Sequence, residues 1–231
     1  MIVAAIKEKI EEFKGALQKS NQPSPFWEMH LHFRENWNIR AENPVEMFDQ
    51  SLQSQITRTF WKRDRYRPKE MMLHFFEWEP EYSQNAFREL FDESIPIDQR
   101  LDRFIFYSDQ LLSFYKKARP RSIENHHYQD YPIISIYLAL KNPHHYSPYQ
   151  FNWFQGLCRA VQAHPSPSHE DPARYFKMCR IVKKYLQDDV ELADIYSLQL
   201  RGMADLQTPP METLFPAADF SRFCAEGIEA K

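Results

Sequence analysis

The chain has 231 residues, of which 43% are hydrophobic and 26% are charged, and its net charge is −3. These values are typical of a globular protein, and they exclude both a disordered chain and a protein that attracts polyanions through its overall charge. Only 4 glycines are present. Because phosphate-binding loops and tight hairpins require glycine, the composition argues against nucleotide-binding folds and favours helices joined by polar turns.

The first half of the chain shows a series of helical patterns. Apolar residues recur at spacings of three and four in residues 3–17, and residues 26–37 are rich in aromatic side chains, so each segment is predicted to be a helix. Asn43 followed by Pro44 is typical of a helix start, and we predict a helix from there to about residue 60. Prolines mark the starts of three further helices, at Pro68, Pro80 and Pro96.

The helix that begins near Pro96 has the most regular apolar spacing in the chain, and a polar loop follows it over residues 119–130. Residues 133–140 are ambiguous, because their apolar side chains alternate as in a strand but also fit one face of a helix. The neighbouring segments are helical and the sequence offers no partner strand. We therefore predict a helix for residues 133–140.

The last third of the chain contains the clearest loop by composition, residues 163–172 with the sequence AHPSPSHEDP. Asp171, which precedes a proline, is expected to cap the next helix, and Asp188 or Asp189 is expected to cap the one after it. A short helix near residues 217–225 is the last predicted element.

Together these patterns predict an all-α fold, an irregular multi-helix bundle of about ten helices. We expect a single helical module over residues 1–231, in which a subdivision would fall near residues 163–172. No apolar run approaches membrane-spanning length, and residues 1–17 are too charged for a signal peptide. With 3 widely spaced cysteines and no C-x-x-C pair, a disulfide framework is not indicated, so we expect a cytoplasmic protein with no membrane partner.

Histidine pairs are the most obvious hint of chemistry, at His126-His127 and at His144-His145. Adjacent histidines on a helix point in directions about 100° apart, and the helical metal-binding spacing H-E-x-x-H does not occur. A site could form if loops bring these pairs together; the alternative is hydrogen-bonded surface histidines. Neither a G-x-S-x-G motif nor a Walker A motif is present. We therefore predict no catalytic residue, no metal site, no cofactor and no enzyme activity in these residues.

DNA is the partner that the sequence suggests most strongly. Residues 57–70, TRTFWKRDRYRPKE, alternate cations with aromatic residues, which can contact phosphates and stack on bases. A second group of four cations has spacings of three, three and four, so its members share one helix face: Arg174, Lys177, Arg180 and Lys184. The alternative is that this is an ordinary solvated face. A further basic group consists of Lys116, Lys117, Arg119 and Arg121. The predicted nucleic-acid-binding residues are Arg58, Trp61, Lys62, Arg63, Arg65, Arg67, Lys69, Arg174, Lys177, Arg180 and Lys184.

The order of several segments resembles a region that precedes the motor in McrB-type AAA+ proteins of modification-dependent restriction systems. One such segment is an F-x-x-L-F-D-E motif at residues 87–93, followed by an R-x-x-x-F pair. A second is S-x-Y-L-x-L-x-x-P-x-x-Y-x-x-Y at residues 135–149, and an aspartate-phenylalanine pair closes the region at Asp219-Phe220. The resemblance extends from about Asn43 to Cys224, and its motifs are patterns of packing residues.

This resemblance implies a helical N-terminal module of a restriction or phage-defence protein whose AAA+ motor is not among these residues. The implied partners are the AAA+ module of the same protein or complex and its nuclease subunit; the NTPase activity would belong to that motor. The implied role is recognition of a DNA target, or coupling of a target or partner to the motor. The alternative is a protein-protein interaction scaffold that does not contact nucleic acid.

Overall fold

A computed structural model describes residues 1–20, 24–53, 67–201, 203 and 209–229. Within these ranges the chain forms eleven α-helices and one 3-10 helix, and it contains no strand. The all-α prediction is therefore confirmed. None of the helices in the described ranges is both long enough and apolar enough to cross a membrane.

The chain divides into two compact units, one comprising Met1–Trp27 with Asn142–Lys231 and the other comprising Glu28–Lys141. The chain passes from the first unit to the second within helix α2 (Pro25–Asn36), and it returns to the first unit directly after helix α7 (Tyr131–Lys141). Both flanks of the loop at residues 163–172 belong to the first unit.

The first unit contains the helices that come before and after the second unit in the chain. They are α1 (Val3–Lys19), α8 (Phe151–Ala160), α9 (Pro172–Gln187), α10 (Val190–Gln199), the 3-10 helix (Pro210–Glu212) and α11 (Phe215–Glu229). Its core includes Phe13 of α1, whose ring meets Phe220 of α11 edge-on with centroids 5.4 Å apart. Burial of such large side chains supplies most of the favourable free energy of folding.

The second unit contains α3 (Pro44–Ser51), α4 (Pro68–Trp78), α5 (Pro80–Leu90), α6 (Ile97–Ala118) and α7. Phe87 of α5 lies at its centre, with ring centroids 5.0 Å from Phe104 and 5.2 Å from Tyr137. Every residue of α7 from Ile133 to Leu140 is buried. Burial on all sides explains why the apolar residues of 133–140 fit the pattern of a strand as well as that of a helix.

The predicted helix starts are confirmed by their caps. The side chains of Asn43, Asp171 and Asp189 each accept a hydrogen bond from the backbone N–H three residues further on, at 2.9–3.2 Å. Asp189, rather than Asp188, is the cap of α10. Such caps satisfy amide groups that have no partner within the helix.

The predicted end of the third helix is wrong, because α3 ends at Ser51 and not near residue 60. The backbone N–H groups of Leu52 and Gln53 bond to carbonyls three residues back, as in the tightened last turn of a helix. Residues 54–60 lie outside the described residues.

Candidate nucleic-acid interface

The candidate interface is built on α9, whose sequence gives it one apolar and one cationic side. Asp171 caps the helix and Pro172 occupies its first turn. Along one side, Tyr175, Cys179 and Val182 are completely buried. Helical geometry then directs residues 177 and 184 away from the core, and both lysines are exposed.

The four predicted cations of α9 differ in their surroundings. Lys177 and Lys184 extend into solvent, and Arg180 is exposed while its guanidinium donates a 2.9 Å hydrogen bond to the carbonyl of His145. Arg174 is half-buried, with its guanidinium 5.4 Å from the ring centroid of Phe154, and it donates to the carbonyl of Pro165. Within the described part of the chain, no carboxylate forms an ion pair with any of the four.

The turn that carries His144 and His145 lies beside the C-terminal half of α9. Lys183 donates a hydrogen bond to the carbonyl of Glu212, and Nδ1 of His144 bonds to the same oxygen at 3.0 Å. Burial lowers the pKa of Lys183. Its hydrogen bond to Glu212 connects α9 to the 3-10 helix. Both histidines are exposed beside the cations of α9.

Sequence reasoning did not place His144 and His145 on this surface, and it did not predict the partner of Lys183. His145 lies 35 residues before Arg180 in the chain, and only the fold brings the two histidines to α9. The spacing of Lys183 after Arg180 was visible in the sequence, but the carbonyl that binds it was not. We name the set Arg174, Lys177, Arg180, Lys184, His144 and His145 the α9 surface.

The second predicted patch, at residues 58–69, is described only at its end. Arg58, Trp61, Lys62, Arg63 and Arg65 lie outside the described residues. The two remaining members, Arg67 and Lys69, have different partners.

Lys69 holds α3 against α4, since its ammonium lies 2.7 Å from Asp49 and also donates to the Asp49 carbonyl at 2.9 Å. Burial would raise the pKa of Asp49, but the hydrogen bonds from Lys69 and Gln53 hold this pKa below its usual value. Arg67 is exposed and lies 3.4 Å from Glu70. Of these two cations, Arg67 is the one accessible to a partner.

The histidine pair at residues 126–127 is engaged in local hydrogen bonds. Nδ1 of His126 and Nδ1 of His127 each accept a backbone N–H two residues further on, at 2.8 and 2.9 Å. The remaining ring nitrogen of His127 lies 3.3 Å from Asp109. Burial lowers the pKa of His127 despite this carboxylate. Among the described residues, no three His, Cys, Asp or Glu side chains converge as a metal site would require.

The three cysteines are buried and unpaired, as expected for small core residues. Burial raises the pKa of the Cys158 thiol, that of Cys179 to about 11 and that of Cys224 to about 12. These thiols are therefore protonated at neutral pH, whereas a nucleophilic cysteine must be a thiolate.

No family model matches the chain, and neither the curated proteins nor the solved structures yield a match. These comparisons do not connect the chain to McrB-type proteins. The geometry of the α9 surface is therefore the main physical guide to function.

Proposed function

We propose that this chain is a non-catalytic helical module that contacts the phosphate backbone of DNA through the α9 surface. The observation that carries this proposal is a set of four cations on one helix with no carboxylate partner in the described part of the chain. Exposed cations are usually balanced by nearby acidic residues, whereas an uncompensated row attracts a polyanion.

The dimensions of the α9 surface suit a phosphate backbone. Arg174 and Lys184 are ten residues apart, which corresponds to about 15 Å along a helix. Duplex DNA carries one charge per roughly 1.7 Å of its axis, so several phosphates would lie within reach. Phosphate contacts hold a protein on DNA without reading its sequence. The proposed contact therefore supplies affinity and orientation.

The place of this module in a larger machine is supported by the resemblance to McrB-type proteins alone. On that basis we propose that it recognises a DNA target, or couples a target or partner to an AAA+ motor and its nuclease subunit. Arg58, Trp61, Lys62, Arg63, Arg65 and Arg67 form part of the same proposal as a second basic contact.

The proposal is tested by binding of duplex DNA to the Lys177→Gln/Lys184→Gln double variant. Both lysines are exposed and make no ion pair with the described residues, so their replacement should leave the fold intact. The matched control is Lys7→Gln/Lys19→Gln, which removes two exposed charges from α1. We expect gel shifts at low salt to show weaker binding by the α9 variant and parental binding by the control. Parental binding by the α9 variant would refute the proposal.

A scaffold without DNA contact is the second candidate, favoured by large apolar side chains on the surface. Ile123 is 93% exposed, Val190 75% and Phe106 57%. Single exposed apolar residues are common, but aromatic residues such as Phe106 are enriched in protein interfaces. Failure of the parent protein to bind any duplex at low salt would favour this second candidate.

A further inference from the structure

Another basic surface, separate from the α9 surface and from residues 58–69, lies at the C-terminal end of α6 in the unit Glu28–Lys141. Lys116, Lys117 and Arg121 are exposed there, and within the described residues none of them forms an ion pair with a carboxylate. Two shallow depressions flank Pro120, one bordered by the two lysines and the other by Arg119 and Arg121. We name Lys116, Lys117, Arg119, Arg121 and Trp78 the α6-end surface.

Aromatic rings distinguish the α6-end surface from the α9 surface. The guanidinium carbon of Arg119 lies 5.4 Å from the ring centroid of Trp78 and 5.6 Å from that of Tyr115. The ring of His74 continues the stack on Tyr115, at 5.4 Å and an interplanar angle of 25°. Trp78 nevertheless remains 42% exposed. The planar guanidinium of Arg119 therefore lies over the indole ring of Trp78, which remains partly exposed.

Carboxylates lie close to part of the α6-end surface. Glu77 is 3.9 Å from Arg119, Asp109 lines the same depression as Lys116 and Lys117, and the exposed Glu79 directly follows Trp78 in the chain. Nε2 of His127 lies 3.3 Å from Asp109. Neither Lys116 nor Lys117 forms an ion pair with a described carboxylate, so their ammonium groups are available to an external anion.

We propose that the α6-end surface binds single-stranded nucleic acid, with a base stacked on Trp78 and phosphates held by Lys116, Lys117 and Arg121. Exposed aromatic rings among cations are the usual means of binding unpaired bases, since every base has a stacking face. A duplex hides those faces and would leave the indole unused. An acidic peptide would match the charges but would not use the ring. The proposal concerns a different unit from the α9 surface and does not depend on it.

The test uses the full chain and a fluorescein-labelled oligothymidylate of about 15 nucleotides, which matches common single-strand site sizes. Fluorescence anisotropy would give the affinity of the parent and of Trp78→Ala. Loss of one stacked base is expected to weaken binding about 10-fold. Trp78→Phe keeps an aromatic face and should retain most of the affinity. Lys116→Gln/Lys117→Gln should reduce the slope of log affinity against log salt by about 1.4.

Phe106→Ala is the matched control, because Phe106 is also an exposed aromatic residue of the same unit. It should bind as the parent does. The inference is overturned if Trp78→Ala binds the oligonucleotide with the affinity of the parent, or if Phe106→Ala loses as much affinity as Trp78→Ala does. It is also overturned if polyglutamate displaces the labelled oligonucleotide as well as unlabelled oligothymidylate does. The Lys177→Gln/Lys184→Gln variant should retain oligothymidylate binding. If that variant alone loses it, single strands bind the α9 surface, and this inference fails while the proposed function stands.

Discussion

The backbone of Gly156 in α8 lies directly against that of Ala225 in α11. A Cβ atom placed on Gly156 would be 2.7 Å from the Cα of Ala225 and 2.8 Å from its nitrogen. Neither atom can rotate away, because both belong to a helix backbone. The pair therefore sets how closely these two helices of the first unit approach.

We predict that Gly156→Ala destabilises the protein, although alanine favours helices more than glycine does. Forcing the two backbones apart should cost about 1–3 kcal/mol, as overpacking does elsewhere. Chemical denaturation would measure the change in the free energy of unfolding.

Gly15→Ala is the control for that experiment. Gly15 lies inside α1, and a Cβ there would have no atom within 4 Å. With no clash, the helix preference of alanine should stabilise the protein by about 0.5–1 kcal/mol. Equal effects of the two substitutions would contradict the close contact between α8 and α11.

Lys14 joins α1 to the start of α10 through a cluster of carboxylates. Its ammonium lies 3.0 Å from both Asp189 and Glu191 and 2.9 Å from Glu11. Hydrogen bonds to Glu11 and Glu191 raise the pKa of Lys14, which stays charged at any physiological pH.

We predict that Lys14→Ala costs about 1–2 kcal/mol. This is less than for a fully buried pair, because Glu11 and Glu191 are largely exposed and screened by water. Lys7→Ala, on the exposed side of the same helix, should change the free energy of unfolding by less than about 0.5 kcal/mol. A matching loss at Lys7 would show that the effect comes from the charge of α1 as a whole.

Asp219 is a buried carboxyl group in α11, and it accepts a 3.1 Å hydrogen bond from the hydroxyl of Tyr196. Burial raises its pKa to about 6, against the opposing charge of Arg222. Because the folded pKa exceeds the unfolded value of 3.8, protonation stabilises the folded state. This contribution is complete below pH 3.8 and is lost as the pH rises through about 6.

We predict that Asp219→Asn stabilises the protein at pH 8 by about 2 kcal/mol relative to the parent, and by much less at pH 4. The amide keeps an acceptor for Tyr196 and cannot ionise. Urea denaturation of both proteins at the two pH values provides the measurement. A pH-independent difference would mean that Asp219 is already neutral, or is not desolvated, in the folded protein.

Much of the fold could be predicted because its signals are local. Asn43, Asp171 and Asp189 cap their helices through amides only three residues away, and prolines mark the first turns. The end of α3 was missed because no proline or glycine follows Ser51 before Pro68. The ambiguity at α7 arose because a helix buried on all sides carries no amphipathic pattern.

The candidate site could be predicted only in part, because only some of its features depend on residues close together in the sequence. The cationic face of α9 follows from spacing within one helix. The partners of its members do not, since the carbonyl of His145 lies 35 residues from Arg180 and that of Glu212 lies 29 residues from Lys183. Lys69 likewise resembled a free cation in the sequence, and Asp49, 20 residues away, engages it.

The most direct test of the proposed function is the salt dependence of duplex DNA binding by the parent and by Lys177→Gln/Lys184→Gln. Each phosphate contact contributes about 0.9 to the slope of log affinity against log salt. If the α9 surface holds the backbone, removal of two lysines should reduce the slope by about 1.8, and Lys7→Gln/Lys19→Gln should leave it unchanged. A slope that is the same in the parent and the α9 variant would contradict the proposed DNA contact.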